Sequence, residues 1–175
     1  MTALLAAAAI AAAVIVVTRS GGGRGPLVPL IDGKVGVGVV LHLGQSASIS
    51  GPLIIRNKSG QTLTLDRVEP IGLQNGLDLR GAYILSRPNA IGEAHGYKVP
   101  GNGQALPGAR VPAHSQVELV IGVKATKLGR HLFTALDVLY HSGGTTYRRN
   151  VPMGVAVCAP DSLRTCEPPP LAPPG

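Results

Sequence analysis

Two cysteines, five histidines and a group of late arginines are the residues here with chemistry to offer. Cys158 and Cys166 close to one another suit a disulfide that pins the tail to the domain. That reading needs an exported chain, and two reduced thiols are the reading for a reducing compartment. A structural zinc site takes four ligands, and neither a nearby histidine nor a second cysteine pair completes one. The histidines His42, His95, His114, His131 and His141 contain no i, i+2 pair that would present two ligands on one strand face. His131 and His141 flank one expected strand, about 30 Å apart if it is straight. Scattered surface histidines are the reading, with a copper-type site using His95 or His114 as the rival.

Nucleophilic and nucleotide chemistry have no framework. The chain lacks a Gly-x-Ser-x-Gly elbow, and neither cysteine sits in a Cys/His signature. Asp137, between Leu136 and Val138, reads as a solvent-facing strand residue. Gly36-Val37-Gly38 and Gly101-Asn102-Gly103 lack the third glycine and the strand–helix context of a phosphate loop. Asn57-Lys58-Ser59 matches a glycosylation sequon, but a three-residue pattern is common by chance, and here the turn explains it. No catalytic residue, cofactor or metal ligand is assigned, and no small-molecule substrate is expected.

Arg130, His131, Arg148 and Arg149 form the candidate basic patch, on two strands expected to pair across Ser142-Gly143-Gly144. Such a patch suits anionic headgroups, wall polymers or an acidic partner, or simply keeps an edge strand soluble. The net charge is +7. Nucleic acid is not the expected partner, because aromatic residues are 3% of the chain, Trp is absent, and stacking platforms need rings.

The elements that position these residues are punctuated by 24 Gly and 15 Pro in 175 residues. That is about twice the usual share. At 45% hydrophobic and 14% charged, the chain is too apolar for general disorder. Ala3 to Val17 is an unbroken apolar run, about 22 Å long as a helix against a bilayer core of roughly 30 Å. Residues 1–18 read as a retained transmembrane anchor, with a cleaved signal segment as the alternative. Residues 19–33 read as a Gly/Pro-rich linker and 159–175 as a Pro-rich tail. Arg19 and Arg24 follow the apolar run, which by the positive-inside rule puts the domain in the cytoplasm. The cysteine pair and the domain type favour an extracytoplasmic location, and that is the expectation adopted.

Residues 34–158 read as short strands between turns. Val35 to Leu43, Leu63 to Leu65, Leu77 to Leu85, Val117 to Val123, Leu132 to Tyr140 and Tyr147 to Val157 all carry a period of two. Ile49 to Asn57 forms a hairpin with the strand after Lys58-Ser59-Gly60. Arg87 to Pro112 reads as a long loop. The expected fold is all-β, an antiparallel sandwich of about seven strands behind one N-terminal hydrophobic helix.

Leu53-Ile54-Ile55-Arg56-Asn57 followed by Leu63-Thr64-Leu65-Asp66-Arg67-Val68 resembles the paired early strands of bacterial immunoglobulin-like domains. Pro112, Val117–Val123, Gly129, Leu132–Tyr140 and Gly143-Gly144 are similar to their last three strands. The plan resembles membrane-anchored Ig-like proteins of GC-rich bacteria over most of Lys34 to Cys158. The core Trp and inter-sheet cysteines of antibody domains are absent. The resemblance is architectural and implies no catalytic residues. The expected function is an Ig-like binding or scaffold module without catalysis, held at the cell membrane and docking an envelope protein partner through exposed strands or the Arg87–Pro112 stretch.

Overall fold

The computed structural model describes residues 25–30, 35–50, 53–87, 93–159 and 166. The expected anchor, residues 19–24 and 31–33 of the expected linker, and all of the tail except Ala159 and Cys166 lie outside them. Among the described residues every regular element is a strand. The first half of the chain forms β1 (Leu27–Pro29), β2 (Val35–Val40), β3 (Ser46–Ile49), β4 (Ile54–Asn57), β5 (Leu63–Ile71) and β6 (Leu77–Leu85). Three short strands follow: β7 (Glu93–His95), β8 (Gly103–Ala105) and β9 (Ala109–Val111). The last five are β10 (Gln116–Ala125), β11 (Gly129–Phe133), β12 (Ala135–Ser142), β13 (Thr145–Val151) and β14 (Met153–Ala159).

β10 is the spine of the first sheet. One edge pairs with β6 along its length. The other is shared, β4 taking Gln116 to Glu118 and β3 taking Ile121 to Lys124. β1 extends this sheet beyond β4, β7 beyond β3 and β8 beyond β6. A second sheet runs β13-β12-β5-β9 and a third β11-β14-β2. The core draws on all three. Alternate residues of β10 (Val117, Leu119, Ile121, Val123 and Ala125) are buried there against Leu63 and Leu65 of β5, Leu136, Val138 and Tyr140 of β12, and Val155 and Val157 of β14. This is the period-two burial of a sandwich, where β-branched and leucine side chains fill the space between facing sheets.

Several expectations change. The described residues hold fourteen strands rather than about seven. Thr134 splits the run from Leu132 to Tyr140, since its N–H and hydroxyl both donate to Ile71 O, at 2.9 and 3.3 Å. Pro152 splits the run from Tyr147 to Val157, having no N–H for a ladder. At both breaks the chain passes between the second and third sheets, so β11 and β14 pair together while β12 and β13 form the hairpin. β14 also pairs in parallel with β2, so the fold is not wholly antiparallel. Leu27–Pro29, read as linker, is an edge strand with Leu27 fully buried. Arg87 to Pro112, read as a loop, contributes β7, β8 and β9.

The strands define two ends. β10 carries the chain from the turns 58–61, 112–115 and 142–145 to the turns 42–45, 72–76 and 126–128, about 30 Å apart. Pro26 O accepts from Lys58 N at 3.0 Å, so the residues preceding β1 join the domain at the first of these ends.

Candidate functional site

The first end is organised by one buried amide. Asn57, the last residue of β4, is fully buried. Its Nδ2 donates to Gln61 O (2.7 Å), Pro112 O (2.9 Å) and Val111 O (3.1 Å). Its Oδ1 accepts from Ser59 N and Ser59 Oγ at 2.9 and 2.7 Å. The side chain closes its own turn, as Asn does in an Asx turn, and clamps that turn to the end of β9. Of its bonds, the one to Val111 O satisfies a buried acceptor. The turn is the one expected from the sequence, and it places the sequon's acceptor nitrogen inside the fold.

The two turns that Asn57 joins form the walls of an open cleft of about 460 Å³, lined by Arg56, Asn57, Lys58, His114 and Gln116. Arg56 and Gln116 are cross-strand partners, and Arg56 Nη2 donates to Gln116 Oε1 at 3.2 Å. That contact orients the guanidinium along the rim. His114 is the one non-glycine among the described residues with positive φ, at 54°. Left-handed backbone is open to His more readily than to most residues, at a cost of about 1 kcal/mol or more. A bond from His114 N to Ser59 O at 3.1 Å holds the turn in place. Arg56, Lys58, His114 and Gln116 are all exposed, and no acid is among the lining residues.

The other end has the opposite character. Gly44 N donates to Ala125 O (2.8 Å), Ala125 N to Gln45 O (3.1 Å), Thr126 N to Gly76 O (2.9 Å) and Gln74 N to Leu132 O (3.0 Å). These bonds gather three turns whose leucines face solvent: Leu43 is 53% exposed, Leu73 41% and Leu128 61%.

The residues singled out in the sequence are dispersed. Cys158 is bonded to Cys166 with Cα atoms 5.7 Å apart, tying the tail back to β14. The basic patch does not form on one hairpin. The hairpin across Gly143-Gly144 is β12–β13, which carries Arg148 and Arg149, while Arg130 and His131 lie on β11 in another sheet. Arg148 is also electrically balanced. Its guanidinium meets Glu69 Oε2 and Asp137 Oδ2, each at 3.3 Å, and Arg67 Nε meets Glu69 Oε1 at 2.6 Å. Asp137, expected to face solvent, is mostly covered, its side chain 13% exposed, and accepts from Asn150 Nδ2 at 2.9 Å.

The described histidines are equally separate. His131 Nε2 lies 3.1 Å from both Lys127 O and Leu128 O, the place of a ring N–H donating to the turn, and the ring covers Gly76. His141 Nδ1 is 2.9 Å from Asp66 Oδ1. His114 stands beside Arg56 and Lys58, which repel a metal cation. His95 enters only as the last residue of β7, its side chain outside the description. Among the described residues no three His, Cys, Asp or Glu side chains gather as metal ligands.

Two tyrosines hold the layers in place. Tyr140 is fully buried, its oxygen accepts from Leu27 N at 3.2 Å, and its ring stacks on Tyr147 at 5.3 Å. Burial pushes its pKa above the usual 10.0, against the hydrogen bond from Leu27. Tyr97 lies on the outer face of the first sheet across Gly122 and Gly81, where a Cβ on either would strike the ring. Burial and then the neighbouring Tyr83 raise its pKa.

Fold and site together define an all-β, mainly antiparallel sandwich with a cationic cleft at one end and exposed leucines at the other. No family model matches the chain, and no curated protein matches it. Among solved structures it is similar to the ASH/PapD-like domain of human CEP192 (PapD-like domain 7), at 9% identity and a TM-score of 0.36, covering 70% of this chain and 80% of that one. At that level of likeness nothing about ligand, partner or location passes from that protein to this one.

Proposed function

We propose that this chain is a binding or scaffold module, an Ig-like sandwich of the bacterial membrane-anchored kind, that works by surface recognition rather than turnover. Residues 1–18 anchor it as a single-pass protein, and the domain stands outside the cytoplasm. Its partner is an envelope protein with an apolar docking surface. The observation that supports this reading is the gathering of Leu43, Leu73 and Leu128 by three hydrogen-bonded turns at the end away from residue 25. Leucines left exposed on turns that are bonded to one another cost solubility, and a common use of such side chains is contact with another protein. Its position away from the entry of the leader favours a protein over the anchoring bilayer. Among the described residues no helix is long and apolar enough to cross a membrane, and the expected anchor lies outside them.

The test is a photoreactive side chain in place of Leu128, activated in native membranes. The expected product is a protein adduct of one size, lost when Leu43→Asp and Leu73→Asp are added to the same chain. A probe at the exposed Arg110 of β9 serves as the control. Equal adducts from both positions, or none from Leu128, would sink the docking assignment.

A further inference from the structure

We propose that the cleft between the Asn57–Lys58 turn and the Pro112–Gln116 segment binds phosphate-bearing anions, and that in the membrane its occupant is the phosphate of an anionic lipid headgroup. The lipid half of this statement rests on the anchor reading above; the phosphate half does not.

Charge and shape give the ligand class. Two full cations, Arg56 and Lys58, and one imidazole, His114, surround a space of about 460 Å³, with Gln116 as a neutral donor and no acid in the lining. Arg presents a planar fork that matches a phosphate, and Lys adds a point charge that can follow it. The cleft is also preorganised. Arg56 is held by Gln116, Lys58 follows a residue clamped by five hydrogen bonds, and His114 sits in a left-handed turn bonded to Ser59 O. Non-glycine residues held at positive φ cost free energy and persist where the surroundings fix them, often at ligand sites. Two arginines of the second sheet differ, since Arg67 meets Glu69 and Arg148 meets Glu69 and Asp137.

Position gives the source. Lys58 N bonds Pro26 O, and Leu27 pairs with Asn57, so the cleft adjoins the place where the leader joins the domain. A chain anchored through its leader presents this end to the headgroups. There each basic residue near an anionic surface adds about 1 kcal/mol, roughly a fivefold change in occupancy.

The experiment uses the full chain. In neutral detergent, inorganic phosphate and then short-chain phosphatidylglycerol are titrated while the NMR signals of Lys58 and His114 are followed. In nanodiscs of phosphatidylcholine, with and without phosphatidylglycerol, the rate at which an amine-reactive reagent labels Lys58 is measured. The expected result is saturable shifts with both ligands and slower labelling only in the anionic discs. Arg56→Gln should weaken both about fivefold, with Arg80→Gln of β6 silent as a control for charge. Phosphate shifts without protection in anionic discs overturn the lipid assignment and leave a soluble phosphate site. No shift with either ligand overturns the site itself. If the chain does not enter nanodiscs at all, the anchor reading fails, and the detergent titration still decides the cleft.

Discussion

Asn57 carries more of this fold than its sequence context announces. It bonds three carbonyls and two donors from inside the protein, so Asn57→Ala removes five hydrogen bonds that close its turn and tie it to the end of β9. We predict a loss of about 3 kcal/mol in urea unfolding, the cost of a few unmade hydrogen bonds. The turn at this position was legible from Asn-Lys-Ser-Gly, but the carbonyls of Val111 and Pro112 were not. They lie more than fifty residues away, and only the fold brings them close. Gly122 is a second such residue. A methyl group there collides with the Tyr97 ring, so Gly122→Ala should destabilise by about 1–3 kcal/mol. Tyr97→Ala in the same chain should remove much of that penalty, a non-additivity readable in a double-mutant cycle.

Tyr140 gives the residue scale a pH signature. Folded Tyr140 and Tyr97 hold their protons above 10.0, where the unfolded chain has begun to release them. The folded state then binds more protons than the unfolded one, so stability falls as pH rises past about 10. Unfolding measured across that range should show the decline, and Tyr140→Phe should shallow it. The same variant costs about 1–3 kcal/mol at neutral pH, because Leu27 N loses its acceptor.

At the scale of elements, the period-two runs identified β10 and β12 with their buried faces, since Val117, Leu119, Ile121 and Val123 alternate without interruption. In β6 the run marked the strand but not its face: the pairing with β10 shifts register, so Leu77, Ala82 and Ile84 enter the core while Tyr83 and Leu85 pack outside with Tyr97. Where the reading fell short, the cause is a break that leaves the alternation nearly intact. Thr134 and Pro152 interrupt two long runs without a glycine-rich signal, and each sends the chain into another sheet. For this reason the four basic residues do not share one hairpin, since Arg130 and Arg148 stand on opposite sides of the first break. The parallel β2–β14 pair was illegible as well, because it joins segments from near the two ends of the chain and has no local sequence mark. The bond from Cys158 to Cys166 closes a short loop at the end of β14. Cys166→Ser should therefore lower stability by about 2 kcal/mol, seen as a lower urea midpoint that matches the wild type under reductant.

In the whole molecule the two ends differ in character: Arg56, Lys58 and His114 stand where residue 25 enters the domain, and Leu43, Leu73 and Leu128 away from it. The leucines and the cations were each visible in the sequence as residues, but their grouping depends on which turns meet. Alkaline phosphatase fused after Gly175 tests the side of the membrane, an active enzyme being the expected result. The most direct measurement of the two-ended arrangement is photocrosslinking in native membranes from two positions, Lys58 and Leu128, with the products separated into lipid and protein adducts. Lipid adducts are expected at Lys58 and a discrete protein adduct at Leu128; the reverse assignment, or the same products from both, would contradict the two-ended arrangement.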